Sequence, residues 1–305
     1  MEHQKSPLDM TDDFFIYAKR MMSKSKMHED GKITPENTYQ PAHKENRSDL
    51  LEVINMLHLP GSRILGLENL IRLYELAKDG KSCLILSEHL SNLDVPSMFG
   101  RFYDPNDQQI EIRKEIFEKI IFVAGVKLNE NPLVKLYTEM FSRIVIVPLS
   151  SMSKMTAEEG DLASKINRSA TRNLVQLRKS GNIFLMFPQA TRYRPWKPET
   201  AKGIKETFSY MNSFDYFVCS SITGNNMPPR EHEDMTREQC LKDVFVLNYG
   251  AVQSTKDFIN EYTIKSGINK DDKESIKQYI VDIVMDDISK LHEEAENYRK
   301  PFLTK

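Results

Sequence analysis

The chain has 305 residues, 40% of them apolar and 28% charged, which describes a globular protein with one large domain and room for a smaller appendage. Its 42 basic and 44 acidic residues leave a formal charge of -2, so the basic excess of a nucleic-acid binder is missing. Cys83, Cys219 and Cys240 form neither a disulfide framework nor a Cys-x-x-Cys metal pair, which points to a reducing, intracellular setting.

The first residues show no apolar signal region, and no run reaches the ~20 apolar residues that span a bilayer. The expectation is a cytoplasmic protein that meets lipid, if at all, by peripheral contact. Asp12 to Met22 spaces Phe14, Phe15, Tyr17, Ala18, Met21 and Met22 three to four apart, which predicts an amphipathic helix capped at Thr11 or Asp12. It reads as a helix docked on the main domain rather than on a membrane. Gly31 to Asn46, with two prolines, reads as a linker. Leu50, Leu51, Ile54, Leu57 and Leu59 form one helical stripe, broken by Pro60-Gly61. Ile64, Leu67, Leu70, Ile71, Tyr74 and Leu76 form the next, ended by Asp79-Gly80. Residues 1–79 are therefore set apart as a small helical N-terminal region, and 80–305 as an α/β domain.

After Gly80, strands and helices alternate. Strands are predicted at Ser82–Ser87, Ile120–Ala124, Ile144–Leu149, Ile183–Phe187, Tyr216–Ser221 and Val244–Tyr249. Helices are predicted at Asp94–Tyr103, Leu162–Lys179 and Asp272–Tyr298. This rhythm predicts a mixed, mostly parallel sheet covered by helices. Asn225 to Gln239 is polar, holds two prolines and reads as a surface loop.

The apolar run Leu84-Ile85-Leu86 ends in Ser87-Glu88-His89-Leu90-Ser91-Asn92-Leu93-Asp94. A neutral imidazole can take a proton from a hydroxyl, and a carboxylate on its second nitrogen fixes the tautomer. Five positions are too many for a helical pair, but a turn at Ser91-Asn92 can fold Asp94 back toward His89. No serine or cysteine is placed to join them, since Ser87 points to the other side of a strand end. The pair suits direct base catalysis better than a covalent relay. Taken alone, the spacing more often marks a satisfied surface histidine.

A second apolar run, Ile183–Phe187, ends in Pro188-Gln189-Ala190-Thr191-Arg192-Tyr193-Arg194-Pro195-Trp196. Two arginines two apart, braced by prolines, can project toward one anion, and the guanidinium fork matches phosphate oxygens. A solvated loop with stray arginines is the bland alternative. Trp196 fits packing better than contact with an acyl chain. The methionines, Met152 and Met155 among them, fit core use better than an acyl groove. Arg143, before the Ile144 strand, reads as a surface arginine rather than a further phosphate ligand. His3, His28, His43, His58, His232 and His292 show no ligand spacing.

A strand followed by His-x-x-x-x-Asp, then a later strand followed by Phe-Pro-x-x-Thr-Arg, resembles the glycerolipid acyltransferases. Phe122-Val123-Ala124-Gly125, Pro132-Leu133 and Arg192-Tyr193-Arg194-Pro195 are most similar to the soluble, plastid-type glycerol-3-phosphate acyltransferases. The resemblance covers about Cys83 to Trp196. It implies that His89 is the base that activates the acceptor hydroxyl, that Asp94 orients it, and that Arg192 and Arg194 hold the acceptor phosphate. Lys127 falls where the family often has a basic residue. The implied co-substrate is an acyl-carrier protein or acyl-CoA thioester, with no metal or redox cofactor and no nucleic-acid partner. The implied acceptor is glycerol 3-phosphate. A lysophosphatidate acyltransferase is the alternative, or a catalytically weak lipid- or carrier-binding protein on the same scaffold. Two departures bear on the acceptor pocket. The family's Pro-Glu-Gly-Thr-Arg is here Pro188-Gln189-Ala190-Thr191-Arg192, and its basic cluster after the Ile144 strand is replaced by Leu149-Ser150-Ser151-Met152-Ser153.

Overall fold

The computed structural model describes residues 6, 8–25, 32–129, 131–231 and 238–303; His3, His28, Gly31 and His232 fall outside them. In chain order the main elements are α1 (Thr11–Met22), β1 (Tyr39–Gln40), α2 (Arg47–Leu57), β2 (Arg63–Leu65), α3 (Leu67–Lys78), β3 (Cys83–Ser87), α4 (Asp94–Phe102) and α5 (Ile110–Glu118). They continue with β4 (Ile120–Gly125), α6 (Pro132–Thr138), β5 (Arg143–Ile146), α7 (Leu149–Met152), α8 (Ala157–Leu177) and β6 (Ile183–Met186). The last are α9 (Glu206–Met211), β7 (Tyr216–Thr223), β8 (Val246–Tyr249), β9 (Gln253–Ser254), α10 (Thr255–Ser266) and α11 (Lys273–Leu303).

The fold is α/β, built on a mixed sheet ordered β1-β5-β4-β6-β3-β7-β8-β2, with β9 also on β7. The five central strands, β5 to β7, run parallel. β1 pairs antiparallel with β5, β8 and β9 pair antiparallel with β7, and β2 pairs parallel with β8. Every residue of β3 and β6 is buried, as expected for strands covered on both faces. The period of two sorts their side chains cleanly. Cys83 and Ile85 join Ile183, Leu185 and Phe122 in one core, packed by α1 to α6. Leu84 and Leu86 join Phe184, Met186 and Phe217 in the other, packed by α8 to α11. Each such fully buried Leu, Ile or Phe contributes about 1.5–3 kcal/mol of transfer free energy.

Residues 1–79 supply more than helices, because β2 extends the sheet beside β8 and β1 closes its far edge beside β5. Phe14, Leu50 and Leu73 share a core with Met98, Phe117 and Tyr137. The expected helix over Asp12–Met22 starts at Thr11, and the expected caps do not act there. Met10 holds the cap position, and Asp9 accepts the Thr11 N–H at 2.9 Å. The expected linker over 31–46 contains β1 and a 3-10 turn at Lys44–Asn46. α8 begins at Ala157 rather than Leu162 because Thr156 and Glu159 cap it reciprocally.

The connections decide where a site can lie. From β3 the chain passes through α4 and α5 to β4, on the far side of β6. From β6 it passes through α9 to β7, on the far side of β3. Two neighbouring parallel strands thus send their chains in opposite directions, to helices on opposite faces. That reversal opens a crevice beyond their carboxyl ends, the usual ligand position in open α/β sheets.

Candidate active site

Both predicted constellations emerge at this crevice. His89 lies two residues beyond β3, and Phe187 is the first residue beyond β6. The two rings stack with centroids 4.1 Å apart and planes 16° from parallel. Phe187 therefore holds one face of the imidazole and fixes its tilt.

The turn folds Asp94 back as its sequence allows. Asp94 is 1% exposed. Its Oδ2 accepts from His89 Nδ1 at 2.8 Å, from Leu90 N at 2.8 Å and from Ser91 N at 3.0 Å. Two of those donors are backbone amides, so Oδ2 is an acceptor and the proton on this edge of the ring sits on Nδ1. Nε2 then presents its lone pair. The His89 side chain is 18% exposed, and Nε2 has no partner among the described residues. Ser91 Oγ locks the turn by accepting from Leu93 N and donating to the Met227 carbonyl.

A covalent relay finds no support here. Ser87 is buried and donates to the Glu88 carbonyl. All three cysteines are buried and free. Burial, with a smaller push from Asp215, raises the Cys83 thiol to about 12, and burial likewise raises Cys219 and Cys240. Among the described residues no hydroxyl or thiol is bonded to His89.

The arginine loop is tied to the base by the backbone. Tyr193, between the two arginines, donates its N–H to the His89 carbonyl at 2.8 Å. Arg194 is half-buried; its backbone N–H donates to Thr200 Oγ1 at 2.8 Å, and Nη1 reaches Thr191 Oγ1 at 3.4 Å. It has no ion pair among the described residues. Arg192 is different. Its Nη1 donates to both oxygens of Glu238, at 2.8 and 2.9 Å. One of the two expected phosphate ligands is thus already paired with a buried carboxylate. Lys127 does not join this group. It is exposed on the turn after β4 and shares a depression of about 440 Å³ with Ser151, Lys154, Met155 and Glu159.

The changed motif residues have structural consequences. Ala190 adopts φ +54°, a left-handed conformation that glycine enters without a steric cost. Gln189 is 4% exposed, and its Oε1 has no hydrogen-bond partner among the described residues. Arg143 is not a surface residue. It is buried on β5, and burial pushes its guanidinium down to about 10 against the pull of Glu139.

Three contributors escaped the sequence. The two ends of the stretch expected as a surface loop, 225–227 and Glu238, pack on the base's turn. Asn226, Met227 and Glu238 are buried, and Asn225 Nδ2 donates to the Leu90 carbonyl at 3.4 Å. Glu88, next to the base, turns to the opposite face of the sheet and meets His292 Nδ1 of α11 at 2.8 Å. Only the third, Phe187, carried a signal, as the aromatic residue ending an apolar run. Among the described residues there is no group of three or more His, Cys, Asp or Glu able to hold a metal ion, and no helix is long and apolar enough to cross a membrane. No protein-family model matches the chain, and no curated protein matches it.

Proposed function

We propose that the chain is an O-acyltransferase that moves a fatty acyl group from a thioester to the hydroxyl of a phosphate-bearing glycerol, with glycerol 3-phosphate the favoured acceptor. The observation that carries this reading is the Tyr193–His89 backbone bond, which sets an arginine pair beside a histidine whose Nε2 is open and whose Nδ1 is held by a carboxylate. A base needs a nearby hydroxyl, and a phosphate gripped a few ångströms away would deliver one. His89 Nε2 takes the hydroxyl proton as the acceptor oxygen bonds to the thioester carbon. The carbon–sulfur bond then breaks, and the leaving thiolate takes the proton back from the imidazolium. Asp94 holds the ring and offsets its positive charge during transfer. Arg194, with no competing carboxylate among the described residues, is the acceptor's main cationic contact. Arg192 contributes the three N–H donors that Glu238 leaves unused. The motif resemblance to the glycerolipid acyltransferases supports the same assignment.

Thiol release from acyl-CoA and from an acyl-carrier thioester, measured against a panel of acceptors, tests the reading. Release should depend on glycerol 3-phosphate and fall sharply with glycerol alone. Release independent of every phosphorylated acceptor would contradict it.

A further inference from the structure

Glu238 joins two loops that arise from different strands. Its carboxylate takes two bonds from Arg192 Nη1, and Oε2 also accepts from Asn92 Nδ2 at 3.3 Å. Asn92 belongs to the turn that carries His89 and Asp94, whereas Arg192 belongs to the loop after β6. Glu238 itself comes from a third place, the connection between β7 and β8, and its side chain is 1% exposed. A carboxylate removed from water to this degree is retained only with strong partners, and these are the ones the structure provides. The Arg192 side chain is 12% exposed, so Glu238 also meets the need of a largely desolvated guanidinium.

We propose that Glu238 is a positioning residue for acceptor binding: it grips Arg192 through Nη1 and the base's turn through Asn92, and so fixes the donors of Arg192 relative to His89. This rests on the acyltransferase reading, in which those donors meet the acceptor phosphate. The chemistry favours positioning over simple charge storage. A guanidinium has five N–H donors in a rigid plane, so fixing one nitrogen orients the other two. Only Nη1 is engaged, and Nε and Nη2 have no partner among the described residues. Because Glu238 neutralises Arg192, what Arg192 offers a phosphate is directed hydrogen bonds, and the net positive charge comes from Arg194.

The test uses the full chain, with Glu238→Gln as the shape-preserving variant and circular dichroism to confirm folding. With glycerol 3-phosphate varied at saturating thioester, Glu238→Gln should raise the acceptor KM at least about tenfold, the loss of a charge-assisted contact, while kcat and the thioester KM stay within about threefold. In the Arg192→Ala background the same change should add nothing, because Glu238 acts through Arg192. Additive effects, an unchanged acceptor KM, or a lower one from a carboxylate that competes with phosphate would overturn the proposal. Hydrogen exchange supplies an arm independent of turnover. Amides 89–94 and 190–194 should exchange faster together in Glu238→Gln, with β5 unchanged, and exchange that is unaltered in either loop overturns the proposal. If wild-type protein turns over no phosphorylated acceptor, the acyltransferase reading fails, and the exchange arm still decides whether Glu238 couples the two loops.

Discussion

The backbone N–H of Tyr193 donates to the carbonyl of His89, so the residue between Arg192 and Arg194 is bonded to the base itself. The backbone that carries the arginines therefore cannot shift relative to the turn of the base without breaking a main-chain contact. Of the two, Arg194 has no carboxylate partner among the described residues, and the account makes it the principal acceptor contact. Arg194→Ala should raise the acceptor KM by about 10–100-fold, about 1.4–2.8 kcal/mol, with the thioester KM nearly unchanged. Initial rates with each substrate varied in turn check this, and equal effects on both constants would contradict it.

Asp94 serves the ring and the turn with one oxygen. Asp94→Asn keeps the shape but can present its NH₂ group to the same donors, releasing the imidazole from its tautomer. A kcat loss of about 10²–10⁴ is expected, with the acceptor KM within about threefold, by analogy with the loss of an orienting carboxylate in a triad. A large rise in acceptor KM with unchanged kcat would move Asp94 out of the dyad and into binding.

The neighbouring Glu88–His292 contact makes a prediction about pH. The hydrogen bond to Glu88 raises the His292 pKa, burial opposes it, and the charges of Glu88 and Glu296 and the Ile222 backbone add to the rise. A pKa raised in the folded state means that protons favour folding. The contribution is complete below the unfolded value of about 6.5 and is lost as pH climbs through the folded one. Urea midpoints of the wild type should therefore fall relative to those of His292→Gln as pH rises from about 6 to about 9. Parallel curves would show that the contact is not linked to protonation.

Ala190 carries a cost that its sequence position only hinted at. A left-handed non-glycine residue is strained by about 1–2 kcal/mol, and restoring glycine returns about 0.4–1 kcal/mol of that as unfolded-chain entropy. Ala190→Gly should therefore stabilise the protein by about 0.5–1 kcal/mol in urea denaturation. Destabilisation would mean that the methyl group makes a contact worth more than the strain.

Much of this was legible in the chain because the signals were local. β3 and β6 are uninterrupted apolar runs ending in polar turns, so their ends, and hence His89 and Arg192, could be placed from sequence. β1, β2 and β9 have two or three residues each and no periodicity to read. α10 buries only Thr255 and Phe258 and so lacks a clear stripe. α6 was readable and was missed, because Asn131 caps it and Pro132 opens it. Glu238 lies 46 residues from Arg192 in a polar stretch, and only the folded chain shows that its side chain turns inward. Arg143 looked like a surface residue because buried arginines are rare and it stands just before the apolar run that announced β5.

The central claim is that His89 Nε2 removes the acceptor's proton. Purified His89→Ala protein, folded by circular dichroism, should be assayed for glycerol 3-phosphate-dependent thiol release. The account predicts a fall of about 10²–10⁴ in kcat with the acceptor still bound. Undiminished release in that variant would contradict it.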